Sequence, residues 1–470
     1  MRKRKAILLG LLVTSSILVA QQFSEQERVA VFRLSYYGQP VVEIQSELRI
    51  ELETRRGRFS LSVRGTGVER YDQLFDRAFQ RVDERIRGSF VNLGRFEVIG
   101  MEQRLAADSV PDFIDLLQDY QANTGEVPEA VLLGQQPFTE ADFRRLSGNF
   151  VVVVPSVSWY DLDRTDDGDY VAEIETSFAF IDVETGRTFD QFSFSSTGYD
   201  EDPEDAVSEA VNEIPSELSF RLREMERFRL KTGILEVNRR EVIIEFGGNM
   251  GLRPGDEYAI VADRVLSNGR IVSDETGLLV VKDVQRDVSF ATILYATPSA
   301  RVGDQLKEVP RRGVETQLYV SVMTDALTEL TYLVGLRGIA SRGFYSWRPL
   351  VNIELPLRGI VAGAFLPVNI SVGGEWNLYL GRLKLTPSGT LGVGGAIPLD
   401  QERYSESFYL SHLGATGRLS GSVLIARDIL LHVEAGYGYW VSLISGALAD
   451  RGGPLSSYGG FIVGGGITIK

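Results

Sequence analysis

The chain has 470 residues and a formal net charge of −15, with 44% hydrophobic and 24% charged residues, no cysteine and two histidines, His412 and His432. Such a composition excludes wholesale disorder. Without cysteine there are no disulfides, thiolate metal sites or lipid-modified cysteine, and two histidines do not make a multi-histidine metal centre.

The length suits about three domains. Charge is unevenly shared among them. Residues 314–470 hold 11 acidic and 11 basic residues, so the whole −15 lies in residues 1–313, or −19 once four N-terminal basic residues are set aside. An acidic surface disfavours nucleic acid and anionic lipid headgroups as partners, and it suits solubility in a periplasm.

Residues 1–20 read as a secretory signal. Arg2, Lys3, Arg4 and Lys5 precede the short apolar run AILLGLLVTSSILV (6–19), and Ala20 closes it. Leu18 is larger than the residue preferred three places before cleavage, so the cleavage point is left open. No later stretch is apolar for about eighteen residues, so no helical span is expected.

Residues 21–230 alternate strand and helix signals. VAVFRL (29–34) suits a buried strand. VVEIQSELRIELE (41–53) and RFSLSV (58–63) flank TRRG as a hairpin, expected to face water through Glu43, Glu47, Arg49 and Glu51. Tyr71, Phe75, Ala78, Val82 and Ile86 recur at helical spacing, and VPDFIDLLQDYQ (110–121) and TEADFRRL (139–146) predict two more helices, the second capped by Thr139. Three strands and a long helix (203–228) follow, with Pro203 at its start and a kink expected at Pro215.

Residues 231–310 change to short strands and glycine turns, the texture of a small β-barrel or sandwich. Pro310, Arg311, Arg312 and Gly313 make a candidate linker.

Residues 311–470 hold eight alternating segments near 315–325, 329–340, 346–356, 367–380, 382–396, 411–425, 428–442 and 457–469. Each is long enough to cross a membrane when tilted. In DILLHVEAGYGYWVS (428–442), Ile429, Leu431, Val433, Ala435, Tyr437, Tyr439 and Val441 share one face. Val368, Ile370, Val372 and Leu378 form a similar row. The residues expected to face lipid are Ile429, Leu431, Val433, Tyr437, Val441, Val368, Ile370, Val372 and Leu378. Opposite them His432, Glu434, Arg418 and Glu375 are expected inside the barrel, and Trp347, Tyr439, Trp440 and Tyr458 are expected as interface anchors. A soluble β-sandwich also alternates. Strand length, the even count and the charges interleaved with apolar residues favour the membrane. The segment ends in Lys470, where barrels of this kind commonly end in an aromatic residue.

Two resemblances add to this reading. The strand VAVFRL, LGRFEVIGMEQRL after a long helix, FVVVVPSVSWYD, FAFIDVETGRTFDQFSFSSTG and the helix opening DAVSEAV resemble the periplasmic fold shared by the curli-secretion protein CsgG and the TolB amino-terminal domain. The resemblance spans residues 27 to about 228 and implies a periplasmic α+β domain. It lacks the curli protein's lipidated cysteine and an apolar membrane hairpin, so ring assembly is not implied. GILEV, MGLRPGDEYAIV, DETGLLVVKDV, VSFATI and VGDQL (233–309) resemble the C-terminal domain of the flagellar protein FlgT, which implies an interaction module without catalytic residues.

Candidate chemistry is sparse. DLDRTDDGDY (161–170) places Ile174 where a calcium loop needs a bidentate Glu, so a polar hairpin turn is expected. His432 and Glu434 share a strand face near Ser420 and Ser422, which keeps a lipid hydrolase as a third reading. No phosphate loop occurs.

The expected fold is multidomain: an α+β periplasmic domain, a small all-β module and a C-terminal eight-stranded antiparallel transmembrane β-barrel. No catalytic, cofactor or metal residue is assigned. The expected function is a non-enzymatic, outer-membrane-anchored periplasmic scaffold or assembly factor. Its partners would be outer-membrane lipid and envelope proteins. The runner-up is an oligomeric component of a secretion or transport complex.

Overall fold

A computed structural model describes residues 23–36, 42–54, 57–69, 72–105, 109–122, 131–133, 136–146, 148–325, 329–357, 365–398, 409–443 and 457–470. The expected signal at 1–20 lies outside the described residues.

The first part opens with β1 (Glu27–Arg33), β2 (Ser35–Tyr36), β3 (Val42–Thr54), β4 (Gly57–Glu69), α1 (Asp72–Asn92) and β5 (Phe96–Arg104). It continues with α2 (Val110–Ala122), β6 (Val131–Leu133), β7 (Gln136–Phe138) and α3 (Glu140–Arg145). It closes with β8 (Val151–Arg164), β9 (Tyr170–Asp182), β10 (Arg187–Asp200) and α4 (Pro203–Glu224). The main sheet has the order β10-β9-β8-β1-β5, with β2 added on β8. β1 runs parallel to β5 and β8, while β8, β9 and β10 form an antiparallel meander. A strand buried on both faces needs a continuous apolar run, and Val29, Ala30, Val31 and Phe32 supply it. α1 and α4 cover one face through Phe75, Phe79, Val82, Ala206 and Val207, and α2 and α3 cover part of the other through Phe113, Leu117 and Phe143.

Local signals act as their chemistry requires. Within the Asp161–Tyr170 stretch, residues 165–169 make the turn between β8 and β9, and Asp161–Arg164 extend β8. α4 starts at Pro203 behind the cap Asp202 and stays helical through Pro215. Thr139 caps α3 in a reciprocal box: its hydroxyl accepts from the Asp142 amide at 3.3 Å, and the Asp142 carboxylate accepts from the Thr139 amide at 2.9 Å. Thr139→Ala should therefore cost about 0.5–2 kcal/mol, read by urea unfolding of this part of the chain. β3 and β4 pair residue for residue with each other. The side chains expected to turn this hairpin toward water lie outside the described ones.

The second part is a closed barrel of six strands: β11 (Lys231–Asn238), β12 (Glu241–Ile244), β13 (Glu257–Val265), β14 (Ile271–Val284), β15 (Ser289–Ala296) and β16 (Gln305–Val309). Ile234, Val242, Tyr258, Leu279 and Leu306 fill it.

The third part begins with β17 (Val314–Asp325), β18 (Glu329–Ala340), β19 (Trp347–Pro356) and β20 (Phe365–Trp376). β21 (Leu378–Leu380), β22 (Leu383–Pro398), β23 (Tyr409–Ala426), β24 (Ile429–Ser442) and β25 (Tyr458–Ile469) complete it. β21 prolongs β20 past Asn377, since both pair with β22. The result is one closed antiparallel barrel of eight long strands, joined in sequence order and shut by β17 against β25.

The three parts meet through ion pairs rather than loose linkers. Glu308 of the six-stranded barrel receives Arg95 at 2.7 Å and Arg223 at 2.6 Å, and the side chains of all three are at most 3% exposed. Asp256 takes Arg342 from the β18–β19 turn at 2.8 Å and Arg223 at 3.3 Å. The 310–313 stretch, expected as a plain linker, is a fastener. Arg311 binds Glu257 at 2.7 Å and Asp428 at 2.5 Å, and Arg312 binds Glu217 at 2.7 Å. Lys470 also pairs with Glu257. Gly251, at φ +76°, lets this barrel touch the first part, because a Cβ there would lie 1.8 Å from the Leu93 carbonyl.

Candidate functional site

The site is the wall of the eight-stranded barrel, read from its two faces. In an antiparallel sheet successive side chains alternate sides, so each strand contributes one outward and one inward row. The outward rows are apolar all the way round. Leu318 and Val320, Leu336, Val351 and Ile353, Ile370 and Val372, Leu391, Leu413 and Leu419, Leu431 and Val433, and Phe461 and Val463 are all exposed. No charged residue interrupts these rows. Of the residues expected to face lipid, Leu431, Val433, Tyr437, Val441, Ile370, Val372 and Leu378 are exposed, while Ile429 and Val368 are half-buried.

The inward rows are charged and buried. Among the described residues four carboxylates (Glu315, Glu354, Glu375, Glu434) face four cations (Arg337, Arg348, Lys384, Arg418), so these charges balance. Arg418 sits between Glu434, at 2.8 Å, and Glu354. Arg348 joins Glu315 at 2.8 Å to Glu375 at 2.5 Å. Arg337 donates to Gln317 at 2.6 Å and reaches Glu434 at 3.5 Å. Arg337 and Arg418 both lie over the Tyr319 ring, at 4.8 and 5.0 Å from its centroid. A buried charge persists only when paired and hydrogen-bonded, and each of these is held by at least one opposite charge. His432, Glu434, Arg418 and Glu375 all lie in this interior network.

The aromatic residues divide. Trp347 and Tyr439 are exposed on the outer wall, 51% and 49% respectively. Trp440 and Tyr458, expected as interface anchors, point inward and are 1% and 7% exposed. Parity is the reason: Trp440 shares its row with His432 and Glu434. Its register partner Gly414 makes room, since a Cβ there would lie 2.2 Å from the indole. Trp440 stacks on Tyr458 at 6.3 Å, and with Met323, Leu333 and Ile462 they form an apolar plug inside the barrel. Gly335 plays the same part beneath the Tyr319 ring. The glycine richness of this third of the chain thus serves, at these positions, to admit large interior side chains.

Among the described residues no nucleophile, base and orienting carboxylate line up. His432 Nδ1 lies 3.2 Å from Gln317 Nε2, while Glu434 is taken by Arg418, Arg337 and the Ser321 hydroxyl. Ser411 donates to the Gly394 carbonyl at 3.1 Å and lies 2.8 Å from His412 Nδ1, an arrangement of satisfied neighbours. Among the described residues no group of His, Asp and Glu is arranged to hold a metal ion.

The interior network was half legible in sequence. Parity singled out Glu375, Arg418, His432 and Glu434. Glu354 alternates in the same way, whereas Arg348, Glu315 and Lys384 obey the same parity but each stands near a strand end or turn, where a charge reads as solvated.

No protein-family model matches the chain, and no curated protein does. Among solved structures it is similar to Neisserial surface protein A, NspA, at 12% identity and TM-score 0.24, over 33% of this chain and 95% of that one. It is also similar to the outer membrane channel DcaP of Acinetobacter baumannii, at 12% identity and TM-score 0.16, over 66% of this chain and 83% of that one. A third is OmpT, an outer membrane protein of Vibrio cholerae, at 10% identity and TM-score 0.15, over 69% of this chain and 99% of that one. These scores are far below 0.5, and the functional reading stands on the chain's own geometry.

Proposed function

We propose that this chain is an outer-membrane protein whose barrel anchors two periplasmic domains, and that those domains serve as a scaffold or assembly factor for other envelope proteins. The observation that carries the reading is the uncharged apolar exterior wrapped round an ion-paired interior. A water-soluble monomer rarely exposes a contiguous apolar patch beyond a few hundred Å². Closure of the strands also satisfies the backbone, as a bilayer requires.

Orientation follows from the connections. The turns at 341–346, 381–382 and 427–428, with Val314 and Lys470, lie at the end that meets the six-stranded barrel. The strand ends that flank the three longest sequence intervals, Pro356 and Phe365, Pro398 and Tyr409, and Ser442 and Tyr458, lie at the other end. Outer-membrane barrels keep short turns on the periplasmic side, which supports a periplasmic position for the N-terminal domains. The interior is filled by side chains, so the barrel serves as an anchor rather than a pore.

Fractionation tests this. The full chain should stay with membranes through a high-salt and alkaline wash, and a chain lacking 314–470 should appear in the soluble periplasmic fraction. Release of the full chain by the wash would overturn the reading.

One observation favours the runner-up, an oligomeric secretion or transport component. β3 and β4 pair only with each other among the described residues, which leaves both long edges free for strands of neighbouring copies. A large species by light scattering in detergent would favour it, and a monomer would count against it.

A further inference from the structure

The geometry points to the open half of the first part's sheet, with the free edge of β10, as the docking surface for an extended, cationic segment of a partner protein. This deepens the scaffold reading and rests on it for its biological setting. The argument begins with what covers the sheet. α1 and α4 cover one face along its length, but α2 and α3 cover only the half of the other face around Val152, Val154 and Ile181. Beyond that half, three cross-strand rows face solvent. Trp159, Glu175 and Ser195 form one, Asp161, Glu173 and Thr197 the next, and Asp163, Val171 and Tyr199 the last. Trp159 is 48% and Tyr199 64% exposed. Exposed aromatic rings beside a polar rim are the residues that most often anchor protein partners.

The edge is the second observation. β10 ends the sheet and, among the described residues, has no strand on its outer side. The outward amides of Thr197 and Tyr199 are taken by α4, donating to Glu213 at 3.2 Å and Glu209 at 2.7 Å. Those bonds show which side the odd-numbered amides face. By the same alternation Gln191, Ser193 and Ser195 turn their N–H and C=O groups to the open edge, where no helix carboxylate meets them. Lysine, proline and bulges commonly guard such an edge, and none occurs between Asp190 and Ser196.

Charge selects the occupant. Asp161, Asp163, Glu173 and Glu175 crowd this face, and no cation among the described residues pairs with them. A second copy would bring the same acidic face and repel. An added strand would lie about two strand spacings, ~9.6 Å, from β9. From there a lysine or arginine on its open face reaches Glu175 or Glu173, and the backbone pairs with Ser193 and Ser195.

The test uses the full chain in detergent micelles and a labelled peptide alternating lysine and threonine, read by fluorescence anisotropy. Saturable, salt-sensitive binding is expected. It should weaken about tenfold or more in Glu173→Gln/Glu175→Gln and in Trp159→Ala. A peptide of glutamate and threonine should not bind. The same lysine peptide, N-methylated at alternate amides, keeps its charge but cannot pair as a strand and should bind about tenfold more weakly. Equal binding by the Gln variant overturns the cationic partner, and equal binding by the methylated peptide overturns strand addition. No binding by the wild-type chain overturns both. A chain that binds the peptide yet washes off membranes sinks the anchor reading and leaves this one standing; a membrane-held chain that ignores the peptide does the reverse.

Discussion

Val433→Arg should destabilise the folded barrel in lipid vesicles by about 2–4 kcal/mol, the cost of a cation on the lipid face near the bilayer midplane. Val433 is 70% exposed, near the middle of β24, and its register neighbours are Gly421 and Gly465. On a water-facing wall the same substitution would change stability by no more than about 0.5 kcal/mol. Val302, in the turn between β15 and β16 of the six-stranded barrel and 65% exposed, supplies a water-facing comparison within the chain. Val302→Arg should be near neutral by urea unfolding. If both substitutions cost the same, the exterior of the large barrel does not sit in lipid. His432 and Glu434, one residue to either side of Val433, face the other way, so the effect reports on the wall and not on the strand.

The second large effect lies where the three parts meet. Glu308→Ala would leave Arg95 and Arg223 buried without their shared carboxylate, and removing one partner of such a cluster costs about 3–5 kcal/mol. The readout is urea unfolding together with protease cleavage between the first part and the six-stranded barrel. Wild-type resistance in Glu308→Ala would show that apolar packing alone holds the parts together. The pH dependence has a defined sign. Burial by itself would raise the Glu308 carboxyl, but the Arg95 and Arg223 guanidiniums outweigh it and hold the group well below the usual carboxylate range. The folded state therefore binds this proton more weakly than the unfolded chain, whose glutamates titrate near about 4.3. The stabilisation is fully present above that value and is lost as pH falls below it. Acid should loosen the junction in the wild type, and Glu308→Ala should lose that part of the acid response.

The junction was the least legible feature of the chain. Arg95, Arg223, Asp256 and Glu308 are up to 213 residues apart, and in sequence each reads as an ordinary surface charge. One signal was present: Glu308 shares strand parity with the buried Leu306. A lone inward carboxylate shows that a cation must come from elsewhere without showing from where. Trp440 teaches the complementary lesson. Residue type suggested an interface anchor, but parity placed it with Glu434, and parity is the stronger rule because a strand cannot turn one side chain across the sheet without a bulge.

What the sequence by itself determined is the periodic part: eight long alternating segments, the uncharged rows on one side of each, and the helix signals of Phe75–Ile86 and Thr139. These depend on neighbours two to four residues apart, so local spacing is enough to specify them. The tertiary structure alone decided which strands close on which, that Gly414 makes space for Trp440, that Arg348 and Arg418 each bridge two interior carboxylates, and that α2 and α3 stop short of Trp159. Each of these depends on groups brought together from distant parts of the chain, and no local period encodes such a meeting.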